Sequence, residues 1–164
     1  MRYWWANQGE TFDEEIDGGY LWSPKCEKDG RKNVTYDNMG LVSPGDVIFS
    51  YCDAEIKALG ICLHKAVSSE KPTEFGHYKA DGNKDGWKVD TEYLKLSKPI
   101  RPIEHHSELE KYRTEYFPLN KDGKGNQKLY LPEISAPMAA HLISIIGPES
   151  VSYTHLTLPT KRIV

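Results

Sequence analysis

The chain has 164 residues, 38% of them hydrophobic and 27% charged, with a formal net charge of −3. That length fits one domain with a real core and is short for two. No apolar run approaches the roughly 20 residues a bilayer span needs, and the acidic balance gives no global basic field, so nucleic-acid contacts would have to come from local patches and specific pockets.

In chain order, Arg2 to Asn7 is aromatic-rich with strand character, and it lacks the charged-then-apolar layout of a signal peptide. A cytoplasmic protein is expected. Glu10 to Asp17 reads as an acidic connection, and Gly18-Gly19 permit a tight turn before the short apolar stretch Tyr20-Leu21-Trp22, which Ser23-Pro24 closes. Asn33 to Met39 suits a short helix capped by Asn33 or Thr35. The turn Ser43-Pro44-Gly45-Asp46 launches the clearest strand, Val47 to Cys52, and a second strand follows over Ile56 to Lys65 with Gly60 at a bulge or bend. Ser68 to Gly86 is polar and glycine-dotted, hence a long loop. Trp87 to Leu96 alternates as a strand that Pro99 and Pro102 end, and Glu104 to Tyr112 reads as helical. Asn120 to Gln127 is a glycine-containing loop before Leu129-Tyr130-Leu131, and Pro137 to Ile146 places apolar residues at helical spacing. Several strands joined by turns, with short helices around them, predict an α+β mixed barrel.

Beyond Ser150 the sequence changes character. Val151 to Thr160 coincides with the translation of a transposase sequencing adapter, GTC TCT TAT ACA CAT CTG ACG CTG CCG ACG. The preceding CT fits a Ser150 codon and the trailing A a Lys161 codon. The alternative is an ordinary terminal strand, since Thr, Tyr and Leu alternate there. The adapter reading divides the chain into a domain over 1–150 and a non-native tail over 151–164, and it expects the natural reading frame to continue past Ser150 as a longer parent protein.

Strong catalytic and metal signatures are missing: there is no GxxxxGK[ST], no HExxH and no CxxC among Cys26, Cys52 and Cys62. His105-His106 are adjacent and point about 100° apart on a helix, which chelates poorly. A nucleophilic pairing of Cys52 or Cys62 with His64 has no support from spacing. No metal or cofactor is expected in this chain.

The informative set is aromatic and amide-bearing. Residues two apart on a strand share a face, so Trp5 projects with Asn7, and Phe49 with Tyr51 and Asp53. Tyr20 and Trp22 follow the double glycine. Such faces serve either as barrel core or as a site where aromatic planes stack on an extruded base while amides and carboxylates read its edge. Two loops carry local positive charge: Lys25 to Lys32, with Lys25, Lys28, Arg31 and Lys32, and Lys121 to Lys128, with Lys121, Lys124 and Lys128. Each is either solvated surface or a phosphate contact.

The blocks Arg2-Tyr3-Trp4-Trp5-Ala6-Asn7-Gln8, Gly18-Gly19-Tyr20-Leu21-Trp22-Ser23-Pro24-Lys25 and Ser43-Pro44-Gly45-Asp46-Val47-Ile48-Phe49-Ser50, with Ile56 to Gly60, resemble the EVE domain of the PUA-like superfamily. They are most similar to the version found at the N-terminus of modification-dependent HNH endonucleases. The resemblance implies a PUA-like pseudobarrel that binds nucleic acid, typically modified double-stranded DNA, and accepts a flipped 5-methylcytosine or 5-hydroxymethylcytosine. Trp5, Asn7, Tyr20, Trp22, Ser50 and Asp53 match the pocket, and Lys25, Arg31, Lys32, Lys121 and Lys124 are the phosphate candidates. Cleavage in such proteins belongs to a C-terminal HNH domain with a divalent metal, so this chain reads as the non-enzymatic reader of a restriction endonuclease. The alternative is an RNA-binding or small-ligand-binding PUA-like domain without a restriction role.

Overall fold

The computed structural model describes residues 1–76 and 85–147; most of the second half of the expected loop over Ser68–Gly86, and the adapter-like tail, fall outside the described residues. The described chain forms a curled, mixed half-barrel with short helices around it. Its strands are β1 (Tyr3–Asn7), β2 (Tyr20–Pro24), β3 (Val47–Cys52), β4 (Glu55–Cys62), β5 (Val67–Glu70), β6 (Asp85–Ile100) and β7 (Glu133–Ile134). They are ordered β2-β6-β4-β3-β1-β7, with β5 also paired to β6. Parallel pairing of β1 with β3, Trp5 beside Phe49 and Asn7 beside Tyr51, makes the sheet mixed. The helices are α1 (Phe12–Gly18), α2 (Val34–Asp37), α3 (His106–Leu109) and α4 (Ala136–Ile146).

The Pro44-Gly45 turn is set as expected. Gly45 has φ +92°, the left-handed conformation that a turn with proline before it requires. Asp46 then fixes the start of two strands, accepting hydrogen bonds from the Arg2 and Ser43 backbone N–H groups and from Trp4 Nε1, each at 3.0 Å.

Alternation sorts the side chains of the sheet into two cores. Trp4, Ala6, Leu21, Ile48 and Val89 face the barrel interior with Met39, Val42, Tyr130 and Leu131. Trp5, Phe49, Tyr51 and Leu59 face outward, where Phe117, Leu119 and the apolar stripe of α4, including Met138 and Leu142, cover them. Both Trp4 and Trp5 are fully buried. Each such ring contributes roughly 4–6 kcal/mol of apolar burial.

Several expectations change. The acidic stretch Glu10 to Asp17 is mostly helix: carboxylates at Asp13, Glu14 and Glu15 occupy the first turn of α1, where the helix dipole favours them, and Gly19 ends it at φ +73°. Strand β2 runs through Ser23-Pro24, and β6 runs past Leu96 to Ile100. Pro99 is tolerated because the pairing of β4 with β6 passes from Lys95 to Ile100, skipping it. The loop expected from Ser68 contains most of β5 and a single 3₁₀ turn that buries Phe75. Residues 104–112 form one α-turn between 3₁₀ turns. Gly60 is not at a bulge. It gives close approach instead, since a Cβ there would lie 2.7 Å from Thr91 Cγ2 and 3.0 Å from the Tyr93 ring.

The half-barrel is closed across its gap by polar groups. Beside β1, Trp5 N–H donates to Pro132 O at 3.0 Å and Asn7 N–H to Tyr130 O at 2.8 Å. From that segment the buried Tyr130 hydroxyl donates to the Glu15 carboxyl group, which also accepts from Trp22 N–H at 2.9 Å and from Thr11 Oγ1 at 2.8 Å. Glu15 is fully buried, so its three donors replace the water it loses. Removing the Tyr130 hydroxyl is therefore expected to destabilise the fold: Tyr130→Phe should lower the unfolding free energy by about 1–3 kcal/mol, measured by urea denaturation.

Burial, then the nearby Glu15 carboxyl, pushes the Tyr93 and Tyr130 hydroxyls well above the ordinary tyrosine value. Tyr36 is pushed up to about 12, and Cys52 and Cys62 to about 11, in each case chiefly by burial. Groups raised in this way contribute stability that is intact below their unfolded-state values, near 9 for thiols and 10 for phenols, and is lost as pH climbs past them. Stability should accordingly decline above about pH 9–10, and an absorbance titration should show Tyr93 and Tyr130 ionising only as the protein unfolds.

Candidate functional site

A cleft of about 1020 Å³ opens on the outer face of the sheet, at the ends of β1 and β3. Asn7 and Tyr51, neighbours in the parallel pair, line its floor. One wall is the segment after β1, with Glu10, Phe12 and Asp13, joined to the β3–β4 turn at Asp53 and Ala54. The lining is completed by Arg101 and Ile103 after β6, and by Asn120, Gly123, Lys124, Gly125 and Gln127.

Trp5 lies directly beneath this floor, its ring centroid 5.2 Å from that of Tyr51, and donates from Nε1 to Asn7 Oδ1 at 2.9 Å. Asn7 Nδ2 donates in turn to Leu129 O at 2.6 Å and Asn126 O at 3.2 Å. Both amide hydrogens are thus engaged, and Asn7 clamps the 120–129 segment against the sheet. Asn120 shapes the same loop by accepting at Oδ1 from the Asp122 and Lys124 backbone N–H groups. Gly125 is required for close packing: a Cβ there would fall 2.5 Å from the Tyr51 ring. Burial raises the Tyr51 hydroxyl above its ordinary value, and the Gly125 backbone N–H partly offsets that rise.

The turn at the rim is strained. Asp53 (φ +50°) and Ala54 (φ +65°) form a two-residue hairpin with both φ values positive, a conformation that favours glycine or asparagine. Pairing of β3 with β4 goes from Ser50–Ala58 to Tyr51–Ile56, leaving Lys57 as a bulge residue. Bulges re-aim side chains, and here Lys57 reaches the cleft, 3.4 Å from Asp53 Oδ2 and 5.8 Å from the Phe12 ring centroid.

The residues expected to share one pocket therefore separate. Asn7 and Asp53 line the cleft and Trp5 supports it from below. Ser50 points to the opposite, interior face of β3, fully buried, with no hydrogen-bond partner for Oγ among the described residues. Tyr20 and Trp22 lie on β2, at the far end of the sheet order, packed with Phe75 in a separate cluster. There Trp22 Nε1 donates to Ser69 O at 3.2 Å, and Tyr20 donates to Glu74 at 2.7 Å, a bond that lowers the Glu74 carboxyl below its ordinary range. Tyr51, Lys57 and Arg101 complete the cleft. Strand alternation already put Tyr51 on this face, whereas nothing in the sequence signalled the bulge that turns Lys57 inward.

The cationic candidates divide too. Lys25 is 3.3 Å from Asp85 and sits 4.2 Å over the Trp87 ring, on the Trp22 side of the molecule. Arg31 pairs with Asp29 at 2.6 Å. Lys32, Lys121 and Lys124 are exposed, and Lys124 alone of these lines the cleft. Asn33 ties the two basic loops together, donating to Glu27 Oε1 at 2.8 Å and Lys128 O at 3.2 Å. Cys62 donates to His64 O, not to its ring. With their raised pKa values, Cys52 and Cys62 stay protonated at neutral pH. Among the described residues no group of three or more His, Cys, Asp or Glu could hold a metal ion, and no helix is long and apolar enough to cross a membrane.

No protein-family model and no curated protein matches the chain. Solved structures do. Human THYN1 in complex with 5-methylcytosine-containing DNA superposes with a TM-score of 0.57 at 14% identity, covering 91% of this chain and 99% of that one. The DUF55 domain of human thymocyte nuclear protein 1 gives 0.55 at 16% identity, over 88% and 98%. The YTH domain of Zygosaccharomyces rouxii MRB1, in complex with N6-methyladenosine RNA, gives 0.51 at 8% identity, over 91% and 90%. The fold is thus the PUA-like half-barrel of EVE and THYN1 domains, as the resemblance in the first strands implied.

Relief of the rim strain gives a direct check on the turn. Ala54→Gly is expected to raise the unfolding free energy by about 1 kcal/mol in urea denaturation, because glycine adopts positive φ without a Cβ penalty.

Proposed function

We propose that this chain is a nucleic-acid-binding module that reads a modified base in the cleft above Asn7 and Tyr51. The observation that carries the reading is the combination of that cleft, polar and aromatic at its floor, with a fold shared by a 5-methylcytosine DNA complex and an N6-methyladenosine RNA complex. Trp5 and Trp22 are fully buried, so aromatic contact passes to the edge of Tyr51, 9% exposed at the floor, with Phe12 on the wall. Asn7 acts by holding the loop that forms the opposite wall. Edge recognition falls to Asp53 and Lys57 at the rim.

In its finer form, the ligand is 5-methylcytosine or 5-hydroxymethylcytosine in duplex DNA, and the module directs a modification-dependent HNH endonuclease. The EVE resemblance supports that form, with cleavage and its divalent metal belonging to a separate domain. The second reading is an RNA-binding or small-ligand-binding domain without a restriction role: the YTH neighbour favours RNA, and the net acidic charge favours a small ligand over a polyanion.

Fluorescence titration separates these readings, because Trp5 lies under the cleft and reports on it. Duplex DNA with and without 5-methylcytosine, N6-methyladenosine RNA and free nucleosides are the ligands to compare. The modified duplex is expected to bind at least about tenfold tighter than the unmodified one, and Tyr51→Ala should remove about 1–3 kcal/mol of that binding. Equal affinity for modified and unmodified nucleic acid, DNA and RNA alike, sinks the proposal.

A further inference from the structure

The charges around the cleft are sorted by chain segment. Glu10, Asp13 and Asp53 lie on one side, on two segments held together where Cys52 Sγ donates to Gly9 O at 3.3 Å and Gln8 N–H donates to Tyr51 O at 3.0 Å. Arg101 and Lys124 come from the segments after β6 and before Tyr130, which are held together where Gly123 packs on His106 and where Arg113 Nη2 donates to Asn120 O at 3.0 Å. Arg101 is 53% exposed and its carboxylate neighbour, Glu104, is 4.0 Å away, so its guanidinium remains open to a ligand. Lys57, between the walls, neutralises only part of the acidic side, through Asp53.

A nucleotide has the same polarity: phosphates at one end and, in cytosine and adenine, a hydrogen-bond-donating exocyclic amine at the other. Thymine and uracil present a carbonyl at that position, which a carboxylate repels. Building on the base-reading function proposed above, we infer that the cleft orients its ligand by charge. Arg101 and Lys124 hold the flanking phosphates, and the acidic wall selects an amino-bearing base, cytosine or adenine, over a carbonyl-bearing one. Neither Arg101 nor this selection was evident from the basic loops, whose other cations lie elsewhere or are paired.

The test uses two short single-stranded DNA oligonucleotides that differ at one central position, 5-methylcytosine in one and thymine in the other. The two bases share ring shape and methyl group and differ at the amino or carbonyl edge, and single strands remove the unequal cost of extruding them from a duplex. Wild-type protein is expected to prefer the 5-methylcytosine strand by about tenfold or more. Asp13→Asn combined with Asp53→Asn should bring the two affinities together. Arg101→Gln combined with Lys124→Gln should weaken both strands alike and flatten the dependence of log Kd on log salt by about 1.4, the contribution of two single-strand phosphate contacts. All four side chains are at the surface, so circular dichroism should show an unchanged fold. An unaltered salt dependence in the cation variant, or equal wild-type affinity for the two strands, overturns the inference while leaving base reading intact. No binding to either strand, together with no preference for modified nucleic acid of any kind, overturns both.

Discussion

The Glu15 carboxyl group holds the half-barrel shut. A curled sheet whose order begins at β2, and in which the short β7 pairs only with Tyr3 and Trp4 of β1, leaves backbone groups of β2 and of the rest of β1 to find other partners, as buried backbone groups must. Glu15, carried inward by α1, accepts from the backbone of β2 and from the Tyr130 hydroxyl, while the backbone of Tyr130 accepts from β1. One buried carboxyl thereby links β2 to β1 through the Tyr130 side chain. The cleft depends on that link at one remove. Tyr130 anchors the end of the 120–129 segment by accepting from Asn7 N–H, and the Asn7 side chain holds the carbonyls of Asn126 and Leu129. Loss of the latch would release the wall that carries Lys124.

The consequence is a division of labour among aromatic residues that are alike in sequence. Trp4 fills the interior, Trp5 fills the outer core under α4, and Trp22 packs with Tyr20 and Phe75 at the other end of the sheet. Rings that serve as fully buried core cannot also stack on a ligand without local opening. Under the proposed reading, ligand contact falls to Tyr51, whose edge reaches the cleft from the outer core. The energetic logic is that of a rigid platform: the floor is held by packing that costs several kcal/mol to disturb, and the polar rim is placed on turns. The strained pair Asp53-Ala54 sits on that rim, and strain at such a position persists only because the hairpin on either side of it is well paired.

The strands and their faces were largely legible in the sequence. Alternation in Val47 to Cys52 and in Arg2 to Asn7 predicts which side chains share a face, and the parallel register then puts Asn7 beside Tyr51 as that rule requires. The Asn33 cap and the Pro44-Gly45 turn are read from residue chemistry alone. What was not legible came from long-range contacts. The helix α1 was hidden by its own charge, because an acidic run looks solvated until one of its carboxylates is seen to turn inward. Tyr20, Trp22 and Ser50 matched a motif but lie on other faces, since a motif conserves sequence order and not which side of a sheet a residue occupies. The bulge at Lys57 has no local signal, as it arises from pairing with β3.

The net charge of −3 now has a physical role. A module with a strongly basic surface binds any nucleic acid through counterion release, and most of its affinity is then blind to sequence and modification. This surface does the opposite: Arg31 is paired with Asp29 and Lys25 with Asp85, both away from the cleft floor. Non-specific attraction is correspondingly weak, so a larger share of any binding energy must come from contacts inside the cleft. For a base reader that is the favourable arrangement, because discrimination is a difference of affinities and is diluted by every contact common to the right and wrong ligands. In the proposed arrangement the pair of phosphate contacts supplies orientation, and the acidic side supplies the penalty against the wrong edge. On the proposed reading, specificity rests as much on what the surface refuses to attract as on what the cleft can hold.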